Sequence, residues 1–278
     1  MLPPRVVRAL TRALGNPDIA DRRARFRYQD AGHGFDAFGL HPDWVSFADL
    51  ITSPLYERWF RVRSYGADNI PASGPTIVAA NHSGTLPYDA SMLWADIYRH
   101  TDPPRAPRPI ADYFVSGLPL VGTTFARTGT VGGSRGNARA LLESGELLML
   151  FPEGTPGIGK PFSERYHLQE WRQGHCELAI RHRATIVPAA LIGPEEQMPQ
   201  VARLPGVGQI PYIPVPATLF PLPVRYHIHY GEPMTFHERF APADADDPDI
   251  VSACALEVKA AVQALIDEGL EQREGVFR

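Results

Sequence analysis

Long apolar runs are missing from this 278-residue chain. None approaches the roughly 20 residues that a membrane-spanning helix needs, so no transmembrane helix is expected. The opening segment has no signal-peptide core either, because Arg5, Arg8 and Arg12 break up its apolar residues. Cysteine is scarce, with Cys176 and Cys254 far apart. They make no disulfide framework and no metal-type spacing, which points to a reducing compartment and two buried thiols. A positive charge excess is lacking: the formal net charge of -4 gives no reason to expect a nucleic-acid partner. The Gly-x-Ser-x-Gly elbow of a serine hydrolase does not occur, and Gly133-Ser134-Arg135-Gly136 has the wrong spacing. His175, His182, His227 and His229 have no third ligand near them in sequence, so we assign none to a metal or to catalysis.

What is present suits a globular chain with a sizeable core: 44% hydrophobic and 21% charged residues. Three apolar runs read as buried strands: Thr76 to Ala80, Glu146 to Phe151, and Thr185 to Ile192. Arg108 to Ala111 and His227 to Tyr230 are shorter candidates. Helical segments alternate with them at Asp89 to Arg99, Asn137 to Ser144, Trp171 to His182 and Ile250 to Glu271. Residues 118–125 mix apolar residues with glycine. Alternation of this kind predicts an α/β fold with a mixed, largely parallel central sheet flanked by helices. In such sheets functional residues gather on the loops at strand ends.

Two polar motifs sit where that rule expects them. Asn81-His82-Ser83-Gly84-Thr85-Leu86-Pro87-Tyr88-Asp89 follows the first strand. An imidazole that takes a proton from an alcohol becomes positive, and a neighbouring carboxylate fixes its tautomer and stabilises that charge. His82 with Asp89 thus makes a candidate general base. The blander reading is a backbone-bonded His82 and an Asp89 that caps a helix. Phe151-Pro152-Glu153-Gly154-Thr155 follows the second strand. Its Glu153 can accept hydrogen bonds from substrate hydroxyls, and Gly154 lets the backbone approach a ligand.

The two motifs together resemble the glycerolipid acyltransferase superfamily, which includes the lysophosphatidate acyltransferases, and the likeness spans roughly residues 65–235. The family carries a histidine–aspartate motif after a strand and a later Phe-Pro-Glu-Gly-Thr, matched completely here. It usually sets four residues between histidine and aspartate, whereas Ser83 to Tyr88 makes six. The resemblance implies His82 and Asp89 as catalytic residues, with Glu153, Gly154 and Thr155 holding substrate. It also implies that Gly129 to Asn137 is an acceptor-binding block, in which Arg135 first and Arg127 second would meet a phosphate. No cofactor or metal is implied; acyl-coenzyme A or an acyl carrier protein would be co-substrate. The acceptor would be a lysophospholipid or related glycerolipid, as in a 1-acylglycerol-3-phosphate O-acyltransferase. A non-catalytic lipid-binding scaffold that kept the fold is the alternative.

Residues 61–278 would form the acyltransferase domain and residues 1–60 an N-terminal helical segment. Arg5, Arg8 and Arg12 share a helical face there, opposite Val6, Leu10 and Leu14. The segment is either a cap packed on the domain or a helix lying on an anionic membrane. The second reading implies a peripheral protein on the cytoplasmic face of a membrane. Lys160 and Arg165 are either solvated loop charges or contacts for a donor phosphate. The apolar, proline-rich stretch 204–224 lines an acyl groove, dips into lipid, or is a buried loop.

Overall fold

The computed structural model describes residues 2–83, 86–112, 120–205 and 212–278. Gly84 and Thr85 of the first motif, the start of the 118–125 segment, and residues 206–211 of the proline-rich stretch lie outside them. The sheet strands are β1 (Arg63–Tyr65), β2 (Thr76–Ala80), β3 (Arg108–Ala111), β4 (Val131–Gly132), β5 (Leu147–Leu150), β6 (Thr185–Ile192) and β9 (His227–Tyr230). They are ordered β1-β9-β6-β2-β5-β3-β4, and every neighbouring pair is parallel except β6 with β9. Strands β7 (Gln200–Pro205) and β8 (Tyr212–Pro216) form a separate antiparallel pair. The expected mixed, largely parallel sheet is therefore present.

Burial on both faces explains why the motif-bearing strands are unbroken apolar runs. In β2, Ile77 and Ala79 pack with Leu148, Ile186 and Ala190 on one side. Val78 and Ala80 pack with Met149, Val187 and Ala189 on the other. The helices include α1 (Pro4–Leu14), α2 (Pro17–Arg25), α3 (Pro42–Pro54), α4 (Tyr88–His100), α5 (Val121–Arg127), α6 (Arg135–Glu143), α7 (Thr155–Ile158), α8 (Gly174–His182) and α9 (Pro248–Gln272). Helices α3 and α4 cover the first face through Val45, Met92, Leu93 and Ile97. Helices α6, α8 and α9 cover the second through Leu141, Ile180, Val258 and Val262.

One expectation needs correction. The helix read from Trp171 begins at Gly174 instead. The Arg172 backbone N–H donates to the Pro152 carbonyl at 3.0 Å, which ties residues 171–173 to the second motif as a loop. In the N-terminal segment Arg5 and Arg12 are exposed, whereas other arginines meet carboxylates of α3. Arg8 and Arg23 pair with Asp43, and Arg22 pairs with Asp49, both carboxylates lying on α3. Each buried carboxylate attracts the guanidinium that would otherwise be solvated, so α1 and α2 pack on α3 as a cap. Among the described residues no helix is long and apolar enough to cross a membrane.

Candidate active site

Parallel neighbours send their C-terminal loops out at the same sheet edge. Strands β2 and β5 pair in register, Ala79 opposite Leu150. His82 and Glu153, just past those ends, therefore meet. Asn81 fixes the exit from β2. Fully buried, it acts as a false strand residue: its side-chain N–H donates to the Leu191 carbonyl at 3.0 Å, and its oxygen accepts from Leu191 N–H at 2.7 Å.

The longer loop does fold His82 onto Asp89. Their Nδ1–Oδ2 separation is 2.6 Å. Asp89 lies in the first turn of α4 with no solvent exposure, and also accepts from the backbone N–H of Ser83 (2.9 Å) and of Ala90 (2.7 Å). An ionised carboxylate can only accept, so His82 Nδ1 donates, and in the neutral imidazole the lone pair is then on Nε2. The imidazole stacks on the Phe151 ring, with centroids 4.2 Å apart, which limits its rotation. Asp96, about two turns along α4 from Asp89, is buried among the hydroxyls of Tyr56, Ser64 and Tyr230 and is no partner for His82.

Glu153 is 1% exposed and faces inward. One carboxylate oxygen accepts from the His82 backbone N–H at 3.1 Å, the other from Gln169 N–H at 2.8 Å. Lys160, read as either a solvated loop charge or a donor-phosphate contact, is buried instead: its ammonium lies 3.5 Å from Glu153 and 3.0 Å from Glu195. A buried carboxylate needs such a counter-charge. Burial pushes the Glu195 carboxyl above its ordinary pKa, and Lys160 offsets part of that rise. Gly154 adopts φ 57°, ψ -147°, a region that favours glycine. Gly157 lets the loop lie against the histidine. A Cβ there would sit 2.9 Å from Glu153 Cβ and 3.0 Å from the His82 carbonyl. Thr155 starts α7, and its hydroxyl donates to Asp112 at 3.4 Å.

Beside Glu153 opens a cleft of about 700 Å³, walled by Arg135, Trp171, Arg172, Glu177 and Asp246. Arg135 begins α6, where Ser134 caps the helix by accepting from Asn137 N–H. Its side chain is 86% exposed and pairs with Glu177 at 3.2 Å. Arg172, which sequence reasoning missed, packs its guanidinium over Gly154. No local signal marked it: it stands 17 residues past Thr155 and is brought back by the bond from its N–H to the Pro152 carbonyl. Arg127 does not line the cleft. Its guanidinium lies over the Phe35 ring at 4.0 Å and donates to the Gly39 carbonyl, toward the N-terminal segment. Arg165 is exposed and lies over its neighbour Phe162.

Residues 61–192 match the Acyltransferase family. An uncharacterized protein of Mycobacterium tuberculosis is 36% identical over 261 residues, covering 88% of this chain and 72% of its own length. A Bos taurus protein described as a DGAT1/2-independent enzyme synthesizing storage lipids is 26% identical over 219 residues, 76% of this chain and 60% of its own. The crystal structure of the 1-acyl-sn-glycerophosphate (LPA) acyltransferase PlsC from Thermotoga maritima superposes with a TM-score of 0.59 at 15% identity, covering 98% and 96% of the two chains. That last likeness is one of fold.

Proposed function

Because the chain belongs to the glycerolipid acyltransferase superfamily, we propose that it moves a fatty acyl group from a thioester to a hydroxyl of a lysophospholipid or related glycerolipid. The observation that carries this reading is the 2.6 Å contact between His82 and the buried Asp89, beside the Phe-Pro-Glu-Gly-Thr loop. The donor is acyl-coenzyme A or an acyl carrier protein. His82 Nε2 takes the proton from the acceptor hydroxyl, and the oxygen attacks the thioester carbonyl carbon. Asp89 stabilises the imidazolium that forms. As the tetrahedral intermediate collapses, the C–S bond breaks and the imidazolium returns its proton to the departing thiolate. Arg135 and Arg172 offer the acceptor headgroup two guanidinium groups at the cleft mouth. The Arg135–Glu177 pair is largely exposed, so exchanging Glu177 for a phosphate costs little. The reaction would take place at a membrane surface, where the acceptor and the acyl chain reside.

The test is thiol release from palmitoyl-coenzyme A over a panel of lyso-lipid and neutral acceptors, with acyl carrier protein as the alternative donor. His82→Ala should lower turnover by about 10²–10⁴, and Asp89→Asn, which reverses the tautomer preference, by about 10⁴. Near-normal turnover in a folded His82→Ala protein would sink the mechanism. Release that requires an acceptor and vanishes in the variant would also identify the acceptor class.

A further inference from the structure

Two stretches far apart in the chain, residues 58–66 and 197–231, contain no aspartate or glutamate, although the chain as a whole is acidic. The fold joins them on one face. The Trp59 indole N–H donates to the Pro221 carbonyl at 3.2 Å. Arg61 donates to the carbonyls of Pro223 (2.8 Å) and Phe277 (3.2 Å). The Arg63 backbone N–H donates to the Tyr226 carbonyl, next to Arg225.

Apolar side chains crowd this face. Leu219 is 89% and Phe220 78% exposed, and Trp59 and Phe277 are partly exposed beside them. Val201 and Leu204 on β7 are exposed as well. Cations surround it. Arg58 and Arg63 are exposed and have no ion-pair partner among the described residues. Arg225 is half-buried, and its Nε has no hydrogen-bond partner among the described residues. Burial and then the like charges of Arg63 and Arg61 lower its pKa, while Glu274 offsets less. Glu57, just outside the first stretch, is engaged by Arg99 at 3.0 Å.

Exposed aromatic and aliphatic groups are costly in water, and Arg58 and Arg63 near them are charges without an ion-pair partner among the described residues. They suit the boundary between lipid headgroups and acyl chains, where apolar tips enter the hydrocarbon and cations meet phosphate. We propose that the face formed by Trp59, Leu219 and Phe220, with Arg58, Arg63 and Arg225 around it, docks the protein on an anionic phospholipid surface. The same stretch reaches the reaction site: Met198 and Gln200 line a small cavity with Ser83 and Gly157, neighbours of His82 and Glu153. Helix α1 is the rival surface: Asp43 pairs with its Arg8, but Arg5 and Arg12 are exposed beside Val6 and Leu14, so the vesicle test carries a variant of each surface.

Flotation with vesicles of phosphatidylcholine, with and without phosphatidylglycerol, tests the proposal on the full chain. The wild type should float with the anionic vesicles and release as salt is raised. Leu219→Ser/Phe220→Ser and Arg58→Glu/Arg63→Glu should each lose at least about tenfold in binding. Arg5→Glu/Arg12→Glu on α1 should bind like wild type. Thiol release with a soluble short-chain acceptor should be unchanged in all three, so failed docking is distinguishable from failed acyl transfer. The proposal is overturned if wild type ignores anionic vesicles, if the face variants still bind, or if only the α1 variant loses binding. It is equally overturned if Leu219→Ser/Phe220→Ser abolishes a dimer seen by sedimentation while leaving vesicle binding intact.

Discussion

Glu153→Gln separates two roles for the carboxylate. As a substrate ligand, Glu153 would reach outward to acceptor hydroxyls. In the fold it is 1% exposed and grips the His82 and Gln169 backbone N–H groups, with Lys160 beside it. Glutamine keeps one acceptor oxygen and turns an NH₂ group toward the other N–H, leaving buried donors facing each other. Hydrogen bonds to charged groups contribute about 1.5–3 kcal/mol, so losing one should cost about 2–3 kcal/mol of stability. Lys160 would retain only Glu195 as a counter-charge. The His82 backbone would also lose its anchor, and a displacement near 1 Å at a reacting group costs on the order of 10²-fold in turnover. Urea unfolding reads the first effect; thiol-release kinetics read the second. The expected pattern is lower stability and lower kcat with an acceptor KM close to wild type. A raised acceptor KM with kcat and stability intact would refute the clamp and return Glu153 to the substrate.

Gly157→Ala forces a Cβ to 2.9 Å from Glu153 Cβ and 3.0 Å from the His82 carbonyl, neither of which can swing aside. We expect about 1–3 kcal/mol of destabilisation and a kcat loss of about tenfold or more, checked by unfolding and turnover on one preparation. Wild-type kcat would mean the loop relaxes freely. Burial also holds the His175 pKa at about 4, while its Nδ1 donates to the Arg172 carbonyl. The folded pKa lies below the unfolded one, so the unfolded state binds the proton first and stability falls as pH drops from about 6.5 toward 4. That single group should remove about 2 kcal/mol between pH 7 and 5. His175→Asn, which keeps the donor, should flatten that part of the stability–pH curve; an unchanged slope would assign it elsewhere.

The sequence alone determined what depends on local pattern. Strands buried on both faces must be unbroken apolar runs, so β2, β5 and β6 were legible with the motifs at their ends. The His82–Asp89 pair was legible as two chemistries separated by one loop. What the sequence could not carry is direction and partnership across long separations. Whether Glu153 faces substrate or the His82 backbone depends on the parallel pairing of β2 with β5. Lys160 looks like any loop lysine until Glu195, 35 residues away, is brought against it. Arg8 and Arg22 look like free surface charges until α3 supplies Asp43 and Asp49. Conversely, the acid-free stretches around Trp59 and Phe220 join only when β1 pairs with β9. A charge's meaning is set by what lies within a few ångströms of it, and sequence distance does not fix spatial distance.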